Sequence, residues 1–209
     1  MTARRILVIG CKGSGSAIAE ACLVLAGLPY DREEVDYDQP GAARDRLSAL
    51  NPLVQVPTLV LPGGGVLTET LAIAVYADRH SPDAGLIPKS EDAQVRFWRW
   101  VSFLIAAVYP TFTYGDDPSK WVKHPEGSAE LRASTDEWRM NLLGLLEGAC
   151  SEPYFLGDTF SVIDLYLTVM SHWRPRPAWF VEHAPKVMAV SNHVRRQRVL
   201  AELWARHLE

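Results

Sequence analysis

A change of pattern at Ser81-Pro-Asp-Ala-Gly-Leu-Ile-Pro88 constrains the fold more than any other feature of this chain. Before it, strand and helix patterns alternate every ten residues or so. After it no strand alternation appears, and long helical stretches follow near 91–115, 128–150, 161–174, 182–190 and 193–207. A proline-punctuated connector between two such patterns predicts two domains, 1–80 and 91–209, joined by a linker at 81–90.

In the first half, Arg5-Ile-Leu-Val-Ile-Gly10 is a continuous apolar run, as expected of a strand buried on both faces. A basic start, Met1-Thr-Ala-Arg-Arg5, precedes it, but the apolar run is too short for a signal-peptide core. The Lys12-Gly-Ser-Gly-Ser16 loop leads into a helix over 17–26, stopped by Gly27. Residues 30–37 read as a second strand, 42–50 as a short helix ended by Asn51-Pro52, 57–61 and 65–68 as a hairpin, and 70–80 as a helix. The predicted order is βαβαββα, an α/β layer followed by an all-helical second half. There, Ser161-Val-Ile-Asp164 has the capping-box form.

Composition narrows the function. With 48% hydrophobic and 22% charged residues and a net charge of −4, the chain lacks the basic footprint of a nucleic-acid binder. No apolar run approaches the ~20 residues of a membrane span. Cys11, Cys22 and Cys150 are an odd set without CxxC spacing, which argues against a disulfide framework or a metal site and for a reducing, cytoplasmic setting.

The chemistry concentrates in Asn51-Pro-Leu-Val-Gln-Val-Pro57 and Leu67-Thr-Glu-Thr70. Pro57 enters a strand after β-branched Val56, where a cis bond is plausible. The Val56 backbone is then available to an extended peptide. Glu69 and Thr70 supply a negative charge, a hydroxyl and free helix-start N–H groups, the parts needed to hold the zwitterionic end of a small peptide.

Together with the βαβαββα order, the Ser161-to-Asp164 box and the Leu156-Gly-Asp158 run before it, these phrases resemble the cytosolic glutathione transferases. The likeness points to bacterial, serine-type members with a theta- or zeta-like N-terminal loop, and it covers nearly the whole chain. It implies a thioredoxin-like N-terminal domain, an all-helical C-terminal domain, glutathione as co-substrate and a homodimer. It also implies that the Val56 backbone pairs with the cysteinyl unit, Glu69 faces the α-ammonium and Thr70 takes the α-carboxylate. Gln55 would reach the glycyl carboxylate.

Activating a thiol means lowering its pKa. About two units require roughly 2.7 kcal/mol of preferential anion stabilisation, and one charge-assisted hydrogen bond supplies ~1.5–3 kcal/mol. The donor belongs in the loop after the first strand, at a helix start, where the sequence offers Cys11, Ser14 and Ser16. The resemblance implies Ser14, with Ser16 second; Ser16 also suits a helix cap. Cys11 would shift the chemistry toward thiol–disulfide exchange. Helix one carries Glu20 where many members have a basic residue.

For the electrophile the resemblance implies an apolar surface on the first helices of the second half, with Phe103, Tyr109 and Tyr114 as candidates. Arg174-Pro-Arg176 reads as solvated loop. The function expected is conjugation of the glutathione thiolate to a hydrophobic electrophile. The alternatives are a glutathione-dependent isomerase, a disulfide or peroxide reductase, and a non-catalytic glutathione-binding member of the fold.

Overall fold

The computed structural model describes residues 5–209; positions 1–4 of the basic start lie outside it. The described residues divide into two compact units: those up to Ile87 together with Val194–Glu209, and Pro88–His193.

The first unit follows the predicted βαβαββα order. It contains β1 (Ile6–Gly10), α1 (Ser16–Leu25), β2 (Tyr30–Glu34), α2 (Ala42–Leu50), β3 (Thr58–Val60), β4 (Val66–Leu67) and α3 (Thr70–His80). The strands form one mixed sheet in the order β2-β1-β3-β4, with β1 and β2 parallel and the other pairs antiparallel. Apolar β1 lies inside the sheet, as its sequence requires. One core joins Ile6, Val8 and Leu59 to Ala19, Leu23 and Ile73; another gathers Ile9, Val35 and Leu47. Helix α1 ends in a paired closure: Leu28 N–H reaches Leu23 O and Gly27 N–H reaches Val24 O, with Gly27 at φ +64°.

Strand β2 is shorter than the sequence pattern suggests. Val35 turns inward, its N–H donating to Gly10 O at 2.9 Å, and the Asp36 carboxylate then accepts from Asp38 N–H at 3.2 Å, closing a local turn. What remains is a charged edge strand, Asp31-Arg-Glu-Glu34, of a kind that discourages further pairing.

The second unit is helical: α4 (Glu91–Phe103), α5 (Tyr109–Asp116), α6 (Pro125–Ala149), α7 (Val162–Met170), α8 (Pro177–His183) and α9 (Pro185–Arg195), whose last residues pass into the first unit. The stretch read as one helix over 91–115 is continuous but changes pitch. Leu104–Val108 form a π turn, with Tyr109 N–H donating to Leu104 O, five residues back. Pro110 explains it, because a proline lacks an N–H and its ring crowds the carbonyl four residues earlier. The stretch read as 182–190 is two helices, parted at Ala184-Pro185. A last helix, α10 (Ala201–Leu208), packs on α1, so that Val194–Glu209 group with the sheet rather than with the helices that precede them.

The capping box of α7 is present, and its acid does more than cap. Asp164 is fully buried and accepts from Ser161 N–H at 2.8 Å and from Phe155 N–H at 2.7 Å, which ties the preceding turn to the helix start. Burial pushes its carboxyl up to about 7 against the pull of those N–H groups. The folded state therefore keeps this proton to a higher pH than the unfolded chain does. Its contribution to stability falls as pH rises from about 4 to about 7 and is flat above. We expect wild type minus Asp164→Asn, in urea unfolding across that range, to show this slope; parallel profiles would remove it.

Candidate functional site

The strand register assembles the site. Ile9 pairs with Thr58 and Leu59 with Leu67. Just past these last pairs lie Cys11 after β1, Val56–Pro57 before β3 and Thr68–Glu69 after β4. The end of β1, the start of β3 and the end of β4 therefore meet at one edge of the sheet. Helices α1 and α3 both open there; the first N–H groups of α1 are taken up by Ser14 and Gly15, while the start of α3 favours an anion at that edge.

The loop between β1 and α1 is knotted by its own hydroxyls. Cys11 N–H donates to Ser16 Oγ at 3.2 Å, and Ser16 N–H donates to Ser14 Oγ at 3.2 Å. The Ser14 hydroxyl lies 2.7 Å from Cys11 O and 2.9 Å from Ser16 Oγ, and its single proton serves one of them at a time. Ser14 is half-buried; Ser16 is completely buried and is the first residue of α1, whose cap position is Gly15. The loop can pack this closely because Gly10 has no side chain: a Cβ there would stand 2.9 Å from Ser16 Cβ.

Cys11, just past the end of β1, is half-buried. Burial and the Glu34 and Asp36 carboxylates raise its thiol above the ordinary range, with Arg32 only partly opposing them. Lys12 turns its backbone N–H to Glu34 at 2.7 Å. The surroundings are acidic, so they keep this cysteine protonated.

At the second segment Val56–Pro57 is cis, as the sequence suggests. Among the described residues, neither the Val56 N–H nor its C=O has a partner. Gln55 is exposed. Asn51, which the sequence offers only as a helix stop, holds this stretch in place: its buried amide donates to Gln55 O and Thr58 Oγ1, both at 3.1 Å, and accepts from Leu53 N–H at 3.1 Å. At the third segment Glu69 is exposed and adopts φ +63°, ψ 112°. That region costs a residue other than glycine ~1–3 kcal/mol and is concentrated at functional sites. Thr70 is buried behind it at the first position of α3.

One buried constellation beside the loop has no local sequence signal beyond a lone acid in an apolar helix. Glu20 of α1, fully buried, receives Tyr30 Oη at 3.0 Å, Arg32 Nε at 2.9 Å, Arg206 at 2.8 Å and His207 Nε2 at 3.0 Å. Burial raises its carboxyl, but the hydrogen bonds from His207 and Arg32, with the Arg32 charge, outweigh that and hold it below the usual carboxylate range. Burial and the same carboxylate push the Tyr30 phenol up to about 12, so it stays a donor. The other ring nitrogen, His207 Nδ1, accepts from Gly13 N–H at 3.2 Å.

In the helical unit the three aromatic candidates have separate ring partners. Phe103 packs edge-on to Trp100, Tyr109 to Trp173, Phe112 and Tyr166, and exposed Tyr114 to Trp121. Arg174, read as solvated, is instead half-buried and bonds Asp116 at 2.9 Å and Asp136 at 3.4 Å.

Residues 16–80 match the family model described as the glutathione S-transferase N-terminal domain. Over 204 residues the chain is 37% identical to the uncharacterized GST-like protein YncG of Escherichia coli K12, covering 97% of this chain and 98% of that one. The chain belongs to the glutathione S-transferase family. The glutathione S-transferase GstA of Escherichia coli O157:H7 is 28% identical over 133 residues, 62% of each protein. Among solved structures, a glutathione transferase homologue from Sulfitobacter with bound glutathione superposes with a TM-score of 0.87 at 24% identity, over 98% of this chain and 99% of that one. A bacterial beta-class glutathione S-transferase from Sphingomonas chungbukensis gives 0.76 at 25% identity, over 97% and 100%. Among the described residues no helix is long and apolar enough to cross a membrane, and no group of three or more His, Cys, Asp or Glu could hold a metal ion.

Proposed function

We propose that this glutathione S-transferase family member binds glutathione at the sheet edge and stabilises its thiolate through the Ser14 hydroxyl. The thiolate then attacks an apolar electrophile by substitution or addition. What supports the reading is the register, which gathers the Ser14 loop, the unpartnered Val56 backbone and the Glu69–Thr70 helix start at one place. The extended cysteinyl unit adds to Val56 as a strand would, with Pro57 shaping the turn and Gln55 turned to the glycyl carboxylate. Glu69 meets the ammonium, and Thr70 the α-carboxylate at the start of α3. Ser14 must turn its proton from Cys11 O to the sulfur, a rotation about one bond, while buried Ser16 holds the loop. The rings of the helical unit, Phe103, Tyr109 and Tyr114 among them, support an apolar second substrate.

The existing Ser14-to-Cys11 bond also favours a second reading, a glutathione binder that does not activate the thiol. A pH titration of the ultraviolet thiolate band of bound glutathione separates the two. A pKa below that of the free tripeptide supports the transferase; an unshifted one leaves binding alone, and no binding sinks both. The acidic setting of Cys11 disfavours a cysteine-based reductase, and the Glu34 and Asp36 charges disfavour a dicarboxylate isomerase. Cys11→Ser should keep turnover within about twofold of wild type, and its abolition would move the assignment to a cysteine mechanism.

We further propose a homodimer. Exposed Val95 and Trp98 share one face of α4, and exposed Trp138 and Leu145 share one face of α6, apolar surface of the kind a partner covers. Sedimentation equilibrium at micromolar protein should give twice the chain mass, and a monomer would refute this.

A further inference from the structure

We propose that His207 is a positioning residue for the thiol-activating loop, an inference that rests on the Ser14 reading above. The ring spans two groups that differ in kind. On one side Nδ1 accepts from the backbone N–H of Gly13, the residue next to Ser14. On the other, Nε2 stands 3.0 Å from the buried Glu20 carboxylate. An amide can only donate, so Nδ1 carries no proton, and Nε2 carries the one that goes to Glu20. The neutral ring is thus held in one tautomer from both ends.

The purpose of such a strut follows from what it holds. Gly13 sits at φ +73° in a loop otherwise fastened by hydroxyl bonds among Cys11, Ser14 and Ser16. These bonds fix the loop to itself and to the start of α1. His207 supplies a fastening from a different element, α10, and Glu20 anchors that fastening in the core together with Arg32, Tyr30 and Arg206. A hydroxyl that must meet a sulfur within hydrogen-bond distance loses much of its effect when its loop drifts by an ångström. Protonating Nδ1 would turn the acceptor into a donor facing Gly13 N–H. The groups that face the ring and Glu20 are those already named, Arg206, Arg32 and Tyr30.

Two variants separate positioning from support. His207→Asn places an amide oxygen near Nδ1 and keeps an acceptor for Gly13, but it is too short to reach Glu20. His207→Gln reaches Glu20 with its amide nitrogen and removes the ring acceptor that His207 offers Gly13. We expect the Gln variant to raise the pKa of bound glutathione by about one unit and to lower turnover about tenfold at neutral pH with little change in the KM for glutathione. Amide exchange at Gly13 should quicken in that variant. The Asn variant should be less stable to urea but keep the wild-type thiol pKa and Gly13 exchange. Equal thiol pKa and exchange in both variants, or the reverse pattern, overturn the proposal. Gly13 exchange is read without glutathione, so it decides the strut even if the wild type shows no thiolate, an outcome that would sink only the transferase reading. Should either variant fail to fold, nitrogen NMR of the wild-type ring decides. The neutral Nε2–H tautomer is expected, and an Nδ1–H tautomer or an imidazolium at neutral pH refutes the strut.

Discussion

Ser14→Ala is expected to lower turnover with an apolar electrophile by about 10- to 100-fold at neutral pH, leaving the KM for glutathione nearly unchanged. The size follows from the single bond removed, since a hydrogen bond to a charged group contributes ~1.5–3 kcal/mol and each 1.4 kcal/mol is a factor of ten in rate. The split between turnover and KM follows from geometry. On the proposed reading Val56, Glu69 and Thr70 would hold the tripeptide by groups at the starts of β3 and α3, and none of them depends on the Ser14 side chain. The same variant should move the thiolate band of bound glutathione toward the pKa of the free tripeptide. Full turnover in Ser14→Ala would show that the sulfur does not depend on the Ser14 hydroxyl. Ser16→Ala differs in kind: its buried hydroxyl accepts from Cys11 N–H, so the effect should appear as a looser loop.

The second large effect is on stability. Glu20→Ala should cost about 3–5 kcal/mol in urea unfolding, the range found when one partner of a buried ion pair is removed. The acid is fully buried, and four donors from β2 and α10 converge on it. Without it, Arg32 is left with only the half-exposed Glu34 as counter-charge and His207 Nε2 loses its buried acceptor, whereas Arg206 is 43% exposed and can turn to water. The sign with pH is fixed by the depressed carboxyl. Its contribution is fully present above the unfolded glutamate pKa of about 4.3 and is lost as pH falls through the folded value. The difference between wild type and Glu20→Ala should therefore shrink on acidification. A constant difference would mean that the acid acts by packing alone.

Much of this was legible in the chain because it is written locally. The apolar run at β1, the Gly27 stop, the hairpin and the Ser161–Asp164 box each depend on residues a few positions apart, and each appears where its pattern puts it. The π turn was half legible: Pro110 announces a disturbance, but whether a helix kinks, ends or widens depends on what packs around it. Asn51 reads as a helix stop, since a side-chain amide that organises the loop after it looks no different in sequence. Glu20 and His207 were out of reach for a stronger reason. They lie 187 positions apart, on helices assigned by pattern to different domains, and no periodicity links them. The strained Glu69 backbone was likewise invisible, since nothing in Thr68-Glu-Thr70 requires a positive φ there.

The return of Val194–Glu209 to the first unit changes what counts as a separable piece of this protein. The whole helical unit is, in topological terms, an insertion between two portions of the sheet-bearing one. A fragment cut at the Ser81–Pro88 connector would carry every residue assigned to the tripeptide yet lack the buried Val194, Leu200, Leu203 and Trp204 of its own interior, and its Glu20 would keep Tyr30 and Arg32 but lose Arg206 and His207. Dissection of this protein therefore calls for splicing the ends of the excised segment together, not for truncation.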